Sequence, residues 1–126
     1  MPGAIDAQFG LSASRFRPAV CEVTVAELMA FSSTWGEKRK ALLKTQIEKM
    51  LIIPIAHPGV HLRWAEISSA LRSAGLTVGH NDIWIAAVAS VAGMTLLTTD
   101  KDFRLVKRVA KLDVRVLDSK TGRELA

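Results

Sequence analysis

Three carboxylates carry the chemistry this sequence could support. Glu27 follows the apolar run AVCEVTV, Asp82 opens the long apolar segment that begins near Asn81, and Asp100 directly follows LLTT. Each stands where a strand pattern and a helix pattern meet. In open α/β sheets ligands bind beyond the carboxyl ends of the strands, so residues far apart in sequence can gather at one edge. A group of carboxylates with no Cys or clustered His is a hard-oxygen donor set, suited to Mg²⁺ or Mn²⁺ rather than zinc. A cation held there would bind a scissile phosphate, orient a water and stabilise the charge that builds on the phosphoryl oxygens.

Each acid also has a purely structural reading. Thr24-x-x-Glu27 and Thr99-x-x-Asp102 both fit the capping box of a helix start. Asp82 beside Asn81 would complement the positive end of its helix dipole. Taken singly, the acids read better as structural. Together they favour function, because Asp82 and Asp100 flank the most apolar part of the chain, where an unneeded buried carboxylate is costly.

Other candidates are weaker. His57 and His61 have the i,i+4 spacing of a helical metal pair, but Pro58 lies at the helix entry and no further ligand is evident, so they read as surface histidines. His80 reads as a turn residue. Arg104, Lys107, Arg108 and Lys111 form a basic stripe at helical spacing that could track an RNA backbone or simply face solvent. Trp35, Trp64 and Trp84 read as core or interface rather than as stacking platforms. Cys21, the single cysteine, excludes an intramolecular disulfide and reads as a small buried thiol. No Gly-rich phosphate loop or nucleophile elbow occurs.

The elements that must position these residues follow from the patterning. Residues 1 to 14 have little periodicity, and Arg15 to Pro18 reads as a basic connector. The β-branched run Ala19 to Val25 predicts a strand, with Val23 and Val25 on one face, and a helix from about Ala26 through AELMAFSSTW. After Gly36, an amphipathic helix carries Leu42, Leu43, Ile47 and Met50 on one side. Leu51 to Ile55 predicts a strand that Pro54 places near an edge or an end. Pro58 opens a helix with Val60, Trp64, Ile67 and Leu71 at spacings of three or four, and Gly75 ends it. NDIWIAAVASVAG is apolar nearly all round and predicts a buried helix. A strand at MTLLTT, a helix from Phe103 to Lys111 and a strand at VRVL complete the series. Strands alternating with helices imply right-handed crossovers and a mainly parallel sheet covered on both faces.

At 126 residues and 49% hydrophobic composition, one domain spanning 1 to 126 with a single core is expected, its first 18 residues poorly defined. Lys and Arg number 17 against 12 Asp and Glu, a formal charge of +5 that suits a polyanionic partner, RNA or an acidic protein surface. The start lacks the pattern of a secretory signal, and the apolar stretch from Ile83 to Leu97 is short and broken by Ser90 and Gly93, so a cytoplasmic location without a membrane span is expected.

The pieces TVAEL (24–28), NDIWIAA (81–87) and LLTTDKDF (96–103) resemble, in the right order, the second, third and fourth acidic motifs of PIN-domain ribonucleases, specifically the VapC-type toxins of toxin–antitoxin pairs. The likeness covers roughly Arg15 to Val106. It implies a three-layer α/β fold and a metal-dependent endoribonuclease in which Glu27, Asp82 and Asp100 hold Mg²⁺ (or Mn²⁺) and Asp102 is an accessory acid. It further implies that Asn81 and Thr98 or Thr99 shape the site, that the substrate is RNA, that a cognate antitoxin silences the enzyme, and that the protein forms a homodimer. The family opens on a strand ending in LDTN or LDTS, a pattern this chain lacks. Asp6 follows MPGAI, a poor strand, and is not assigned as the first catalytic Asp. The expectation is therefore a PIN-like domain missing its N-terminal strand, either through an upstream start or an N-terminal deletion. Two alternatives stand beside the nuclease: a catalytically impaired fragment that still binds antitoxin or RNA, and a basic helical DNA-binding module built on HPGVHLRWAEISSALRSAGLTVG.

Overall fold

The computed structural model describes residues 18–125. Asp6, the unpatterned opening and the basic connector at Arg15 lie outside the described residues. The elements run β1 (Ala19–Cys21), α1 (Glu22–Phe31), α2 (Glu37–Glu48), β2 (Leu51–Ile53), α3 (Pro58–Ser73), α4 (His80–Ala92), β3 (Leu96–Thr98), α5 (Phe103–Val109) and β4 (Val114–Val116). Both strand pairings are parallel, as the alternation of strands and helices requires. β1 pairs with β2 in the register Ala19 to Leu51, and β3 pairs with β4 in the register Leu96 to Val114. Among the described residues these are two separate two-stranded sheets rather than one continuous sheet.

α4 holds the fold together. Its sequence is apolar on nearly every face, and Ile83, Ala86, Ala87, Val88 and Ala89 are all buried. It packs most extensively against α3 and also touches α1, α5 and β1. The small alanines let neighbouring elements approach closely, while Val60, Ile67 and Leu71 of α3 fill the facing side. α3 starts as its sequence dictates: Pro58 occupies the first turn, and the His57 side chain accepts the backbone N–H of Gly59 at 3.0 Å. α4 ends on Gly93 at φ 66°, where the Met94 N–H reaches back to the Ala89 carbonyl at 3.0 Å, a Schellman closure that favours glycine. Among the described residues no helix is long and apolar enough to cross a membrane.

The expected strand over Ala19 to Val25 is shorter than its composition suggests. It stops at Cys21, and Val23, Thr24 and Val25 lie inside α1. Helix propensity penalises β-branched residues by only tenths of a kcal/mol, and tertiary contacts outweigh that here. Val23 packs on the core, and the Glu22 carboxylate complements the helix N-terminus while accepting the backbone N–H of Ile55 after β2. The same shift removes the capping box at Thr24 and Glu27, both now internal to the helix. α1 also ends at Phe31, before the predicted limit at Trp35, which instead packs edge-on against Phe31 and under the Arg39 guanidinium at 4.1 Å.

The amphipathic reading of α2 holds only in part. Leu43, Ile47 and Met50 are half-buried, but Leu42 is 59% exposed and no α2 residue is fully buried. Leu62 on α3 is likewise exposed, whereas Ile67 on the same helix is sealed inside. Replacing Ile67 by Ala is expected to cost about 2–5 kcal/mol of unfolding free energy, and Leu62→Ala about 0.5 kcal/mol or less. Urea denaturation of the two variants checks the contrast.

Candidate active site

The buried helix brings Asp82 to the rim of the core. Asp82 is the third residue of α4, half-buried in its first turn. α1, which packs against α4, carries Glu27, so this acid approaches from mid-helix rather than from the strand end that the sequence pattern predicted. β3 delivers Asp100 two residues beyond its last strand residue. There the backbone N–H of Asp100 donates to Thr98 Oγ1 at 3.0 Å, and Asp100 Oδ1 accepts the N–H of Asp102 at 2.9 Å. These two bonds form a tight turn in which one carboxylate oxygen is structurally committed. Thr98 therefore shapes the loop; Thr99 is exposed, as are Asn81 and Asp102. Asp102 sits at the entry of α5 without a side-chain cap, so the Thr99 capping box does not form.

Three acids act on the fourth, Asp82. Partial burial first, then repulsion by Asp100, then by Glu27 and then by Asp102, holds the Asp82 carboxyl above the ordinary carboxylate range. A chain of net charge +5 thus concentrates negative charge around one half-buried group. The donor set is entirely oxygen, the chemistry that a hard divalent cation takes. Among the described residues, no three His, Cys, Asp or Glu side chains converge closely enough to enclose an ion, so the carboxylates form an electronegative rim rather than a closed cage.

The remaining candidates have other work. His57 Nδ1 is spent on the helix cap, and His61 packs edge-on against Trp84 at 6.0 Å, which ends the case for a histidine metal pair. His80 is not a turn residue: it opens α4 and lies against Trp64. Lys107, from the predicted basic stripe, donates to the Val114 carbonyl at 3.1 Å and so helps join α5 to β4. Burial pushes the Cys21 thiol up, consistent with an inert core residue. The helix-turn-helix alternative would make α4 the recognition helix, and a helix this apolar and this extensively buried does not favour it. Sequence reasoning missed Glu22, because it was assigned to a strand, and the contact between Trp64 and the start of α4, which no spacing rule signals.

The raised pKa of Asp82 has a consequence for stability. An acid that is harder to ionise in the folded state weakens folding at pH values where the unfolded chain ionises freely. Asp82→Asn is therefore expected to raise the thermal midpoint at neutral pH in chelator. The gain should shrink as pH falls through the raised folded value, and the two proteins should converge below the ordinary value of 3.8. Melting curves between about pH 3 and pH 8 test this; a gain that persists at the acid end would show that the substitution stabilises by another route.

Comparison with known proteins bears on the family and the fold. The PIN domain family matches residues 3–109 of the chain. Ribonuclease VapC4 of Mycobacterium tuberculosis is 31% identical over 116 residues, spanning 83% of this chain and 89% of that protein. Ribonuclease VapC5 of the same organism is 28% identical over 102 residues, spanning 78% and 75% respectively. A crystal structure of VapBC-5 from Mycobacterium tuberculosis, a member of the VapBC family of toxin–antitoxin systems, superposes with a TM-score of 0.67 at 27% identity, covering 79% of this chain and 81% of that one. With its parallel strands, its buried α4 and the acids of TVAEL, NDIWIAA and LLTTDKDF around one rim, the chain belongs to the PIN-domain family, in its VapC-type branch.

Proposed function

We propose that this chain is a single-domain, metal-dependent endoribonuclease toxin of a type II toxin–antitoxin pair. The observation that carries the reading is the Asp82 carboxylate, held half-buried and pushed towards protonation by Glu27, Asp100 and Asp102. A half-buried carboxylate perturbed by other acids in this way is a candidate functional group. The similarity to two VapC ribonucleases supports RNA as the substrate, and the VapBC-5 likeness supports an antitoxin as the partner.

In this reading Glu27, Asp82 and Asp100 hold the cation, Mg²⁺ or Mn²⁺, and Asp102 is the accessory acid. Asn81 and Thr98 shape the approach, Thr98 by anchoring the amide of Asp100; the family likeness extends that role to Thr99. When bound, the cation supplies positive charge to the scissile phosphodiester and activates a water. The protein's contribution is to bring acids from α1, α4 and the loop after β3 to one rim of the buried helix, where a cation would draw the carboxylates together. Homodimerisation, common among such toxins, belongs to the same proposal.

Two substitutions test it. Asp82→Asn and Asp100→Asn are each expected to lower Mg²⁺-dependent RNA cleavage by about 100-fold or more, the scale on which losing a group that stabilises the transition state is felt. Cleavage that survives both substitutions would sink the nuclease assignment. Wild-type protein that binds antitoxin yet cleaves nothing with Mg²⁺ or Mn²⁺ would instead identify a binding fragment. Adding stoichiometric cognate antitoxin is expected to suppress the wild-type activity, and sedimentation reports the oligomeric state.

A further inference from the structure

We propose that Trp64 is a positioning residue for the acid site: by gripping the first residue of α4 it sets where the Asp82 carboxylate stands. The inference rests on the reading of Asp82 as a metal-holding group and adds a residue outside the acidic motifs.

The entry of α4 has no cap of its own. Gly79 stands at the N-cap, and no side chain there bonds to the first backbone N–H groups. The carboxylate of Asp82 lies over this entry, its Oδ2 4.0 Å from the position a β-carbon on Gly79 would take. Any drift of the first turn therefore moves the acid. Buried Ile83 anchors one side of that turn, and Trp64 restrains the other. Its indole N–H donates to the His80 carbonyl at 3.4 Å, and its ring meets the His80 ring edge-on at 5.6 Å. Its other neighbour is Trp84, at 5.4 Å between ring centroids. Trp64 thus holds the residues two before and two after Asp82. Trp64 is itself fixed, since Val60 and Ile67, a turn to either side on α3, are buried in the core. A chain of contacts runs from the core through α3 and Trp64 to the start of α4 and so to Asp82, the arrangement by which outer residues orient ligand groups.

The test reads metal binding in the absence of RNA, using the full chain and Mn²⁺ as the probe, followed by electron paramagnetic resonance or calorimetry. Trp64→Leu, which removes the ring contacts and the N–H together, is expected to weaken Mn²⁺ binding about tenfold. Trp64→Phe keeps a ring against His80 and Trp84 and is expected to recover part of that loss, which also keeps the question open to test if the Leu variant fails to fold. Val114→Ala in β4, buried but outside the contacts that run through Trp64, is the control for general loosening: its thermal midpoint should fall while Mn²⁺ affinity stays at the wild-type value. In cleavage assays the Trp64→Leu defect should narrow as Mn²⁺ approaches saturation, since the lesion lies in cation affinity rather than in turnover.

Folded Trp64 variants that bind Mn²⁺ as tightly as wild type would overturn the proposal, as would an equal loss in Val114→Ala. Asp82→Asn is run alongside to separate the two levels. If it leaves Mn²⁺ binding intact, the assignment of Asp82 fails and this inference with it. If it abolishes binding while the Trp64 variants do not, only the role of Trp64 falls.

Discussion

Burial of α4 is the constraint on which the rest of this structure depends. A thirteen-residue helix that is apolar on almost every face has no stable place at a surface. It must be enclosed, and α3, α5, α1 and β1 are the elements that enclose it. Once they do, the single acid in its first turn is carried to the rim of the core, where it is neither fully hydrated nor fully sealed. The position of the candidate site is therefore a by-product of packing in a definite sense: the demand that buries Ile83 and Ala86 also determines where Asp82 emerges.

That placement carries a conflict between stability and use. Four acids share one neighbourhood in a protein whose overall charge is positive, and the half-buried member bears the repulsion of the other three. The ionised Asp82 carboxylate opposes folding at neutral pH. The retained repulsion makes sense if a cation relieves it, because binding then draws on energy that the folded protein holds unfavourably in the cation's absence. The turn at Thr98, Asp100 and Asp102 shows the same division of labour on a smaller scale, since one oxygen of Asp100 is spent on holding the loop.

Much of the fold is legible in the sequence, and the reasons are local. Pro58 and Gly75 bracket α3, Gly93 closes α4, and the β-branched residues of VRVL form the last strand as predicted. Errors fall where local preference is weak and a distant contact decides. Val23 to Val25 would serve equally in a strand, but Glu22 and its bond to the Ile55 N–H begin a helix there. That shift places Glu27 within a helix rather than at a strand end, yet the acid still reaches the neighbourhood of Asp82, because α1 packs against α4.

The sequence by itself determined the class of fold, the parallel direction of the strands and the identity of the acids. Those properties depend on periodicity, on Pro and Gly at fixed backbone positions, and on motifs short enough to read along the chain. Only the tertiary structure decided that the acids share an electrostatic neighbourhood, that His57 caps a helix instead of holding a metal, and that Trp64 braces the start of α4. The shared neighbourhood of the acids and the Trp64 contact depend on residues distant in sequence meeting across packed elements, which leaves no fixed spacing in the chain, whereas the His57 cap is local and is decided by the conformation at the start of α3.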